Sequence, residues 1–272
     1  GNFIDSTNFV KDDGGGIYVY PQQTGPNDTV TYTTRIVRDN IVINTLGAIA
    51  GGEPSSNHSE GYAIYNDGTS PDVSYINNTV ATAEYGIFFN STDRTVVDSN
   101  TVYDCKRGLY VVNYSGYGVE NLTVRYNIFV AKEADQYAAY YEPGAATMPA
   151  SFDADYNVYA RPVDDDNCIW YDASGTNYYV TLAQWKASAF ASGEDANSTK
   201  SPVAIVSTSA FNFQYNNTAS EVVKTLGGTY TDLRGNVSAG YVTLEPYQSF
   251  LGLFTDSYNP VIIFQNTKVI KE

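Results

Sequence analysis

Charged residues stand just before the short aromatic phrases of this sequence. They are Asp13, Glu60, Glu84, Lys106 with Arg107, Asp135 and Asp166. Glu60 precedes "GYAIY" and Glu84 precedes "YGIFF". If the two phrases lie on neighbouring turns of one structure, the carboxylates come to about 5 Å from each other, the separation found in retaining glycosidases. Glu60 and Glu84 are therefore candidate catalytic residues.

A second combination of residues would suit elimination rather than hydrolysis. Lys106 and Arg107 precede "GLYVV", and Tyr110 lies within that phrase. A polysaccharide lyase needs a base, such as lysine or tyrosine, and a cation that neutralises a uronate carboxylate. Lys106 and Arg107 are candidates for these roles. The alternative for all of these charges is that they are solvated at turns, where charges often contribute little.

Aromatic residues recur inside the same phrases, each directly after an aliphatic or small residue. Because side chains alternate faces along a strand, we expect the aliphatic residues to face the core and the aromatic residues to face outward. Acidic and amide residues follow two positions later on the outward side. The predicted polysaccharide-binding strip contains Tyr18, Tyr65, Asp67, Phe88, Tyr110, Tyr140, Glu142 and Trp170. The alternative is that stacked rings stabilise neighbouring turns without any ligand.

The aromatic phrases alternate strictly with a second marker, an asparagine inside an alternating strand. The asparagines are Asn2, Asn40, Asn78, Asn100, Asn127 and Asn157. The uninterrupted step, from Asn78 to Asn100, is 22 residues. A step of this size fits one coil of a parallel β-solenoid, whose coils bury their apolar faces by stacking. We therefore predict about six coils, an asparagine ladder along them, and positive φ at Gly16, Gly86 and Gly108.

The repeat fades after residue 172, and the rest of the chain has other patterns. Residues 1–172 are predicted to form the coils, and residues 173–200 a connecting segment. That segment contains a short amphipathic helix with Leu182 and Trp185 on one face. Residues 201–272 are predicted to form C-terminal β-strands that close or extend the solenoid. The fold class is therefore all-β, with one short helix.

Composition excludes several partners and favours an extracellular location. The chain has 272 residues and a net charge of −15, which argues against nucleic acid, because phosphate contacts require a basic surface. No apolar run approaches the roughly 20 residues that cross a membrane. An acidic, lysine-poor chain rich in tyrosine fits a secreted or cell-surface protein. No cofactor is certain, and the acidic run Asp164–Asn167 makes Ca²⁺ a candidate.

The repeated coils over residues 1–172 resemble those of right-handed parallel β-helix proteins of the secreted, carbohydrate-active type. The C-terminal segments "TLAQWKASAFASGEDANS" and "LGGTYTDLRGNVSAGYVTLEPYQSFLGLF" resemble the segments that close many such proteins. Members include polysaccharide lyases, glycoside hydrolases and non-catalytic fibres or adhesins. The resemblance implies an extracellular protein that acts on a polysaccharide.

The sequence is also compatible with two other functions. One is a non-catalytic glycan-binding module. The other is a structural solenoid that assembles end to end, because the chain enters in mid-repeat at "GNFI" without an evident cap. An uncapped end exposes strand edges that invite pairing. We therefore expect either self-association or a further N-terminal segment over the first coil.

Overall fold

The structure, a computed structural model, describes residues 1–20, 32–33, 35–49, 59–163 and 166–256. Parallel strands wind through six stacked coils, so the predicted all-β solenoid is confirmed. The single α-helix of the described residues, α1 (Leu182–Ala187), is the predicted one. No helix among these residues is long and apolar enough to cross a membrane.

Each coil contributes to three stacks of strands. Two stacks merge into one 11-stranded sheet because β7 (Thr79–Asn90) and β9 (Thr101–Val112) run through both. We call the two merged stacks the first strip and the second strip of this sheet. The first strip contains β1 (Phe3–Asp5), β4 (Ile41–Thr45), the first halves of β7 and β9, β11 (Ile128–Val130) and β14 (Val158–Ala160). The second strip contains β2 (Gly14–Val19), β5 (Gly61–Asn66), the second halves of β7 and β9, β12 (Tyr137–Glu142), β15 (Ile169–Ala173) and the antiparallel β16 (Thr176–Val180). The third sheet contains β3 (Arg35–Arg38), β6 (Val73–Ile76), β8 (Thr92–Asp98), β10 (Val119–Arg125) and β13 (Asp153–Asp155).

The predicted asparagine ladder runs along one corner of the solenoid. Each amide nitrogen donates to the next amide oxygen, for example from Asn78 Nδ2 to Asn100 Oδ1 at 2.9 Å and from Asn127 Nδ2 to Asn157 Oδ1 at 3.0 Å. We expected the asparagines to lie inside strands, but the structure places them outside. From Asn40 to Asn157, the asparagines lie between the third sheet and the first strip, each after a residue with positive φ such as Ser99 (57°). That left-handed residue bends the chain and turns the amide inward.

The core of the solenoid is filled by the aliphatic residues of the repeated phrases. Ile64, Ile87 and Leu109 pair in register and have no exposed surface. Gly86 and Gly108 lie beside them, but neither they nor Gly16 has the positive φ that the sequence predicts. A Cβ at Gly86 would clash with the carbonyl oxygen of Gly108 on the next coil. These glycines therefore allow close packing between coils rather than a turn.

The segment after the last coil covers the C-terminal end of the core. The Thr181 hydroxyl caps α1 by accepting a hydrogen bond from the Gln184 backbone N–H. Trp185 is fully buried, and its ring stacks on Tyr141 with centroids 4.9 Å apart. Its indole nitrogen donates to Asp195 Oδ2 at 2.8 Å. The helix therefore fixes a buried aromatic cap over the coils.

The C-terminal strands form a separate antiparallel sheet at the side of the solenoid. In spatial order this sheet contains β17 (Phe211–Tyr215), β20 (Ser249–Asp256), β18 (Val222–Asp232) and β19 (Val237–Leu244). Its Leu251 and Leu253 pack in one cluster with Ile41 and Tyr103 of the first strip. These strands were expected to close or extend the solenoid, whereas their described contacts lie along its flank. They cover the outer face of the first strip.

Candidate functional site

A cleft of about 940 Å³ lies on the outer face of the second strip. Its floor is formed by β2, β5, β7 and β9, and its rim includes a short 3-10 turn at Tyr114–Gly116. The structure brings together nine of the predicted site residues in the wall of this cleft. They are Tyr18, Glu60, Tyr65, Asp67, Glu84, Phe88, Lys106, Arg107 and Tyr110.

The predicted aromatic row exists in the predicted register. Tyr65 pairs with Phe88, Phe88 with Tyr110, and Tyr110 with Tyr140. Tyr18 and Trp170 stand at the two ends of the row. The aromatic side chains form clusters separate from the solenoid core, so they face outward as expected.

Most rings of the row are covered by one another. Ring centroids lie 4.8 Å apart for Phe88 and Tyr110, 4.7 Å for Tyr110 and Tyr140, and 3.9 Å for Tyr140 and Trp170. Phe88 is only 5% exposed although it is on the outer face. A ring whose faces contact two other rings has no face left for a sugar. In the middle of the row, stacking therefore serves the stability of the coils.

The exposed rings stand at the edges of the cleft. Tyr18 and Tyr20, at the first coil, are 50% and 53% exposed. Tyr114 and Tyr117, on the rim, are 61% and 43% exposed. The sequence did not predict a role for Tyr114 or Tyr117, but both lie in the short insertion "NYSGYG" that interrupts the repeat. Insertions in solenoids often form loops beside a binding face, and this signal could have identified them.

Arg107 lies among aromatic rings at the β9 end of the cleft. Its guanidinium carbon is 4.8 Å from the Trp170 ring centroid and 5.3 Å from those of Tyr110 and Tyr140. Its Nη1 donates to the Tyr85 hydroxyl at 2.8 Å. The arginine is therefore held by cation–π contacts and by one hydrogen bond.

Lys106 and Glu84 face each other on neighbouring coils. Because Tyr85 pairs with Arg107, the preceding residues Glu84 and Lys106 are adjacent, and Lys106 Nζ lies 3.5 Å from Glu84 Oε1. The change of charge sign between the two phrases is thus an ion pair across coils. Half of the Lys106 side chain is exposed, and such pairs contribute little to stability.

Glu60 and Glu84 both line the cleft but are not at equivalent positions. Tyr62 pairs with Tyr85, which places Gly61, not Glu60, level with Glu84. The Glu60 backbone N–H donates to the Asp12 carboxylate, which fixes the chain before β5.

Tyr110 was the other candidate base for elimination, and its surroundings do not suit that role. Its hydroxyl donates to Glu142 Oε2 at 3.2 Å, and Tyr140 donates to the same oxygen at 2.8 Å. Burial first, and the charge of Glu142 second, raise the pKa of Tyr110. A phenol that holds its proton this strongly is a poor base.

Tyr140, Glu142 and Trp170 continue the row beyond the wall of the cleft. The Trp170 indole nitrogen donates to Asn177 Oδ1 of β16 at 2.6 Å. The predicted strip is thus longer than the cleft, and its C-terminal part is tied to the segment that ends the solenoid.

Asp67 accepts hydrogen bonds from side chains and from the backbone. Its Oδ2 accepts from the Tyr18 hydroxyl at 2.5 Å, and its Oδ1 accepts from Asn90 Nδ2 and from the Gly68 backbone N–H at 2.7 Å each. Desolvation first, and the bond to Asp67 second, raise the pKa of Tyr18, so this hydroxyl acts as a donor. Asp67 is thereby held at the end of β5 with its oxygens in fixed positions.

Asp13 stands at the entry to β2 and was not singled out among the predicted site residues. Asp13 lines the same cleft as Tyr65 and Asp67. Burial first, and the charges of Asp67 and Asp12 next, raise the pKa of Asp13. The cleft therefore holds two aspartates whose surroundings differ.

The acidic run that the sequence offers for Ca²⁺ is only partly described by the structure. Within the described residues, no group of three or more histidine, cysteine, aspartate or glutamate side chains is arranged to hold an ion. Asp164 and Asp165 of the acidic run lie outside those residues, and Asp166 pairs with Lys200 at 2.8 Å.

The coils and their ladder define the class of this protein. Residues 1–184 match the model of the family described as right handed beta helix region, and the chain belongs to that family. Comparison with curated proteins and with solved structures gives no match. The family match covers the coils and the start of α1, so it establishes the fold, while function has to be argued from the cleft.

Proposed function

We propose that this chain is an extracellular, carbohydrate-active β-helix protein that binds a glycan chain in the cleft. The observation that carries the proposal is the set of exposed tyrosine rings around polar side chains. Tyr18 and Tyr20 stand at one edge, and Tyr114 and Tyr117 on the rim. Exposed rings offer apolar faces to the C–H faces of sugars. Asp67 and Asn90 offer hydrogen-bonding groups to hydroxyls.

The direction of the cleft favours a linear chain. It extends from Tyr18 on the first coil to Arg107 on the fourth. Three coil steps of about 4.8 Å give a length of roughly 14 Å along the solenoid axis. A groove of that length and a volume of about 940 Å³ can hold several joined sugars rather than one.

The charge of the cleft favours a neutral glycan. Asp13, Glu60, Asp67 and Glu84 line it, against Lys106 and Arg107. Lys106 is already paired with Glu84. A polyuronate would therefore meet an excess of like charge, which disfavours binding.

The experiment measures binding to immobilised neutral and acidic polysaccharides. We expect the double variant Tyr18→Ala/Tyr20→Ala to bind at least tenfold more weakly than the unaltered chain. The control is Tyr126→Ala, because Tyr126 is 44% exposed and stacks on Tyr156 at 5.2 Å outside the cleft. Equal binding by the double variant, or binding to no glycan, would refute the proposal.

A second candidate function is association through the first coil. Within the described residues, β1, β2 and β3 each pair with one neighbouring strand only. In the part of the chain that the structure describes, their other edges carry no strand partner, and such edges favour pairing with another chain. Light scattering over a range of concentrations tests this function, and a constant monomer mass would refute it.

A further inference from the structure

We propose that the bound glycan extends beyond the cleft and contacts a second group of aromatic rings at the C-terminal end of the second strip. These rings belong to Tyr137, Trp170 and Tyr179, and we call them the end platform. The inference rests on the proposed function, because the glycan must first bind in the cleft. It narrows the ligand to a linear polysaccharide that is longer than the cleft.

The three rings of the end platform contact one another although they come from three strands. Tyr137 lies in β12, Trp170 in β15 and Tyr179 in β16. Ring centroids are 5.4 Å apart for Tyr137 and Trp170, 5.4 Å for Tyr137 and Tyr179, and 5.3 Å for Trp170 and Tyr179. Trp170 and Tyr179 also pair in register across their antiparallel strands. The rings therefore form one continuous apolar surface.

The end platform is accessible, whereas the middle of the aromatic row is not. Tyr179 is 49% exposed, and Phe88 and Tyr140 are buried. The rings of the end platform are tilted by 34° to 59° against one another rather than stacked face to face. The exposed part of Tyr179 can therefore contact the C–H face of a sugar.

Arg107 connects the cleft to the end platform. It lines the cleft, and its guanidinium carbon is 4.8 Å from the centroid of the Trp170 ring. Tyr137 is the residue of the next coil that pairs with Arg107. A glycan that leaves the cleft along the solenoid axis therefore passes Arg107 and arrives at the end platform.

The distance between the two exposed ends of the second strip sets the length of the glycan. From Tyr18 to Tyr179 the strands follow in the order β2, β5, β7, β9, β12, β15, β16. Six steps between neighbouring strands, each of about 4.8 Å, give roughly 29 Å, about twice the length of the cleft. A glycan that fills the cleft alone is therefore too short to reach Tyr179.

Polar side chains beside the end platform suit the hydroxyls of a sugar. The exposed Asn177 accepts a hydrogen bond from the indole nitrogen of Trp170 at 2.6 Å. Asp172 pairs with Asn177 across β15 and β16. Together they bring an amide, which donates, and a carboxylate, which accepts, to the side of the rings.

A purely structural role of Tyr179 would be to hold β16 against β15. In that case, removal of the ring would destabilise the fold, and any effect on binding would be the same for short and long glycans. The proposed role makes a different prediction, because only a long glycan reaches the end platform. The length of the glycan therefore separates the two roles.

The experiment measures dissociation constants for cello-, manno- and xylo-oligosaccharides of increasing length. We expect the affinity of the unaltered chain to rise in two stages, as the cleft is filled first and the end platform second. Tyr179→Ala should lose the second stage only. It should bind the longest oligosaccharides about fivefold more weakly than the unaltered chain does, the effect of one ring contact, and the shortest ones equally well.

The neighbouring tyrosine of the same strand provides the matched control. Tyr178 stacks on Tyr171, with ring centroids 4.8 Å apart, and is not part of the end platform. Tyr178→Ala should therefore keep both stages. At the other end, Tyr18→Ala/Tyr20→Ala should weaken the binding of short and long oligosaccharides alike.

Thermal unfolding verifies that each variant folds. Tyr179→Thr repeats the test if Tyr179→Ala does not fold, because threonine suits a strand and has no ring. Tyr179→Phe keeps the ring and should bind every oligosaccharide as the unaltered chain does. A loss of the second stage in Tyr179→Phe would contradict a contact made by the ring.

The outcomes distinguish this inference from the function on which it rests. If Tyr179→Ala weakens short and long oligosaccharides equally, or weakens neither, the end platform does not bind the glycan, and binding in the cleft still stands. If Tyr179→Ala lowers the mass of an oligomer in light scattering and changes no dissociation constant, the end platform is a contact between copies of the chain instead. If the unaltered chain binds no glycan, both proposals are overturned.

Discussion

The two strips of the 11-stranded sheet differ in what covers their outer faces. On the first strip, Ile41 and Tyr103 are buried under Leu251 and Leu253 of the antiparallel C-terminal sheet. On the second strip, aromatic rings such as Phe88 pack mainly against one another and border a cleft. The same coils therefore carry one outer face that is structural and one that is accessible.

The difference shows that an apolar outer row is not by itself a binding surface. Tyr103 and Phe88 are both nearly buried on outward faces, at 6% and 5% exposure. One is covered by another sheet, and the other by the rings of adjacent coils. At the Tyr18 end of the row, half of the ring stays exposed and can contact a ligand.

The largest effect should come from uncovering the first strip. Tyr103 contacts Phe211 and Phe213, with ring centroids 5.2 and 5.4 Å away. We expect Tyr103→Ala to lower the free energy of unfolding by about 3 kcal/mol, as for other buried aromatic truncations. Glycan binding should not change. Urea unfolding measures the loss, and a change below about 0.5 kcal/mol would mean that the C-terminal sheet is not a cover.

Removing the cation from the second strip should have an intermediate effect. Arg107→Met keeps the length of the side chain but loses the contacts with the rings of Tyr85, Tyr110, Tyr140 and Trp170. We expect a loss of about 1 to 2 kcal/mol. Arg107→Lys should fall between, because it keeps the charge without the planar group.

Thermal unfolding of the unaltered protein, Arg107→Lys and Arg107→Met measures the order of their stabilities. The Arg107 Nε is buried without a hydrogen-bond partner. If Arg107→Met is more stable than the unaltered protein, the desolvation of this nitrogen destabilises the fold by more than the cation–π contacts stabilise it.

Replacing one ring in the middle of the row should have a smaller effect and should separate stability from binding. Phe88→Leu keeps most of the apolar volume but loses stacking on Tyr62 at 4.6 Å and on Tyr110 at 4.8 Å. We expect a loss of about 1 kcal/mol with unchanged glycan affinity. A loss of affinity as large as that of Tyr18→Ala/Tyr20→Ala would instead make the whole row a binding surface.

A salt bridge at the third sheet provides a reference outside both strips. Arg94 Nε and Nη2 bind the two oxygens of Asp72 at 2.7 and 3.0 Å, and hydrogen bonding by Arg94 lowers the pKa of Asp72. A carboxylate whose pKa is lower in the folded protein than in the unfolded chain stabilises the fold at any pH above its unfolded pKa. This stabilisation is lost as the pH falls through the folded pKa. The stability difference between the unaltered chain and Asp72→Asn should therefore be present at pH 7 and shrink below about pH 4. A difference that is the same at pH 7 and pH 3 in urea unfolding would contradict this assignment.

The sequence predicts the solenoid well because its repeat encodes contacts between neighbouring coils. The step from Asn78 to Asn100 fixes the register that places Phe88 against Tyr110. Local alternation also predicts which side chains face outward. Details of backbone geometry are harder to predict. The bend before each ladder asparagine and the clash that requires glycine at Gly86 depend on the spacing between coils, which a linear pattern does not contain.

The rim of the cleft is less predictable than its floor, because residues such as Tyr114 and Tyr117 come from outside the repeat. Asp13 precedes its strand and lines the same cleft as Asp67 only through the stacking of coils. Tyr114 and Tyr117 lie in an insertion, and the flanking position of the C-terminal sheet follows from packing that has no periodic signal. Residues of the repeated phrases could thus be assigned to the second strip from the sequence. The inserted residues on the rim and the position of the C-terminal sheet could not be assigned in this way.

The chain's two tryptophans lie in different surroundings. Trp170 ends the outer aromatic row and stacks on Tyr140, whereas Trp185 belongs to α1 and is fully buried. Closely stacked tyrosines pass excitation energy to a neighbouring indole, so light absorbed along the outer row should be emitted largely from Trp170. The intrinsic fluorescence of the protein therefore contains two separable reporters, one for the open face and one for the closed end of the solenoid.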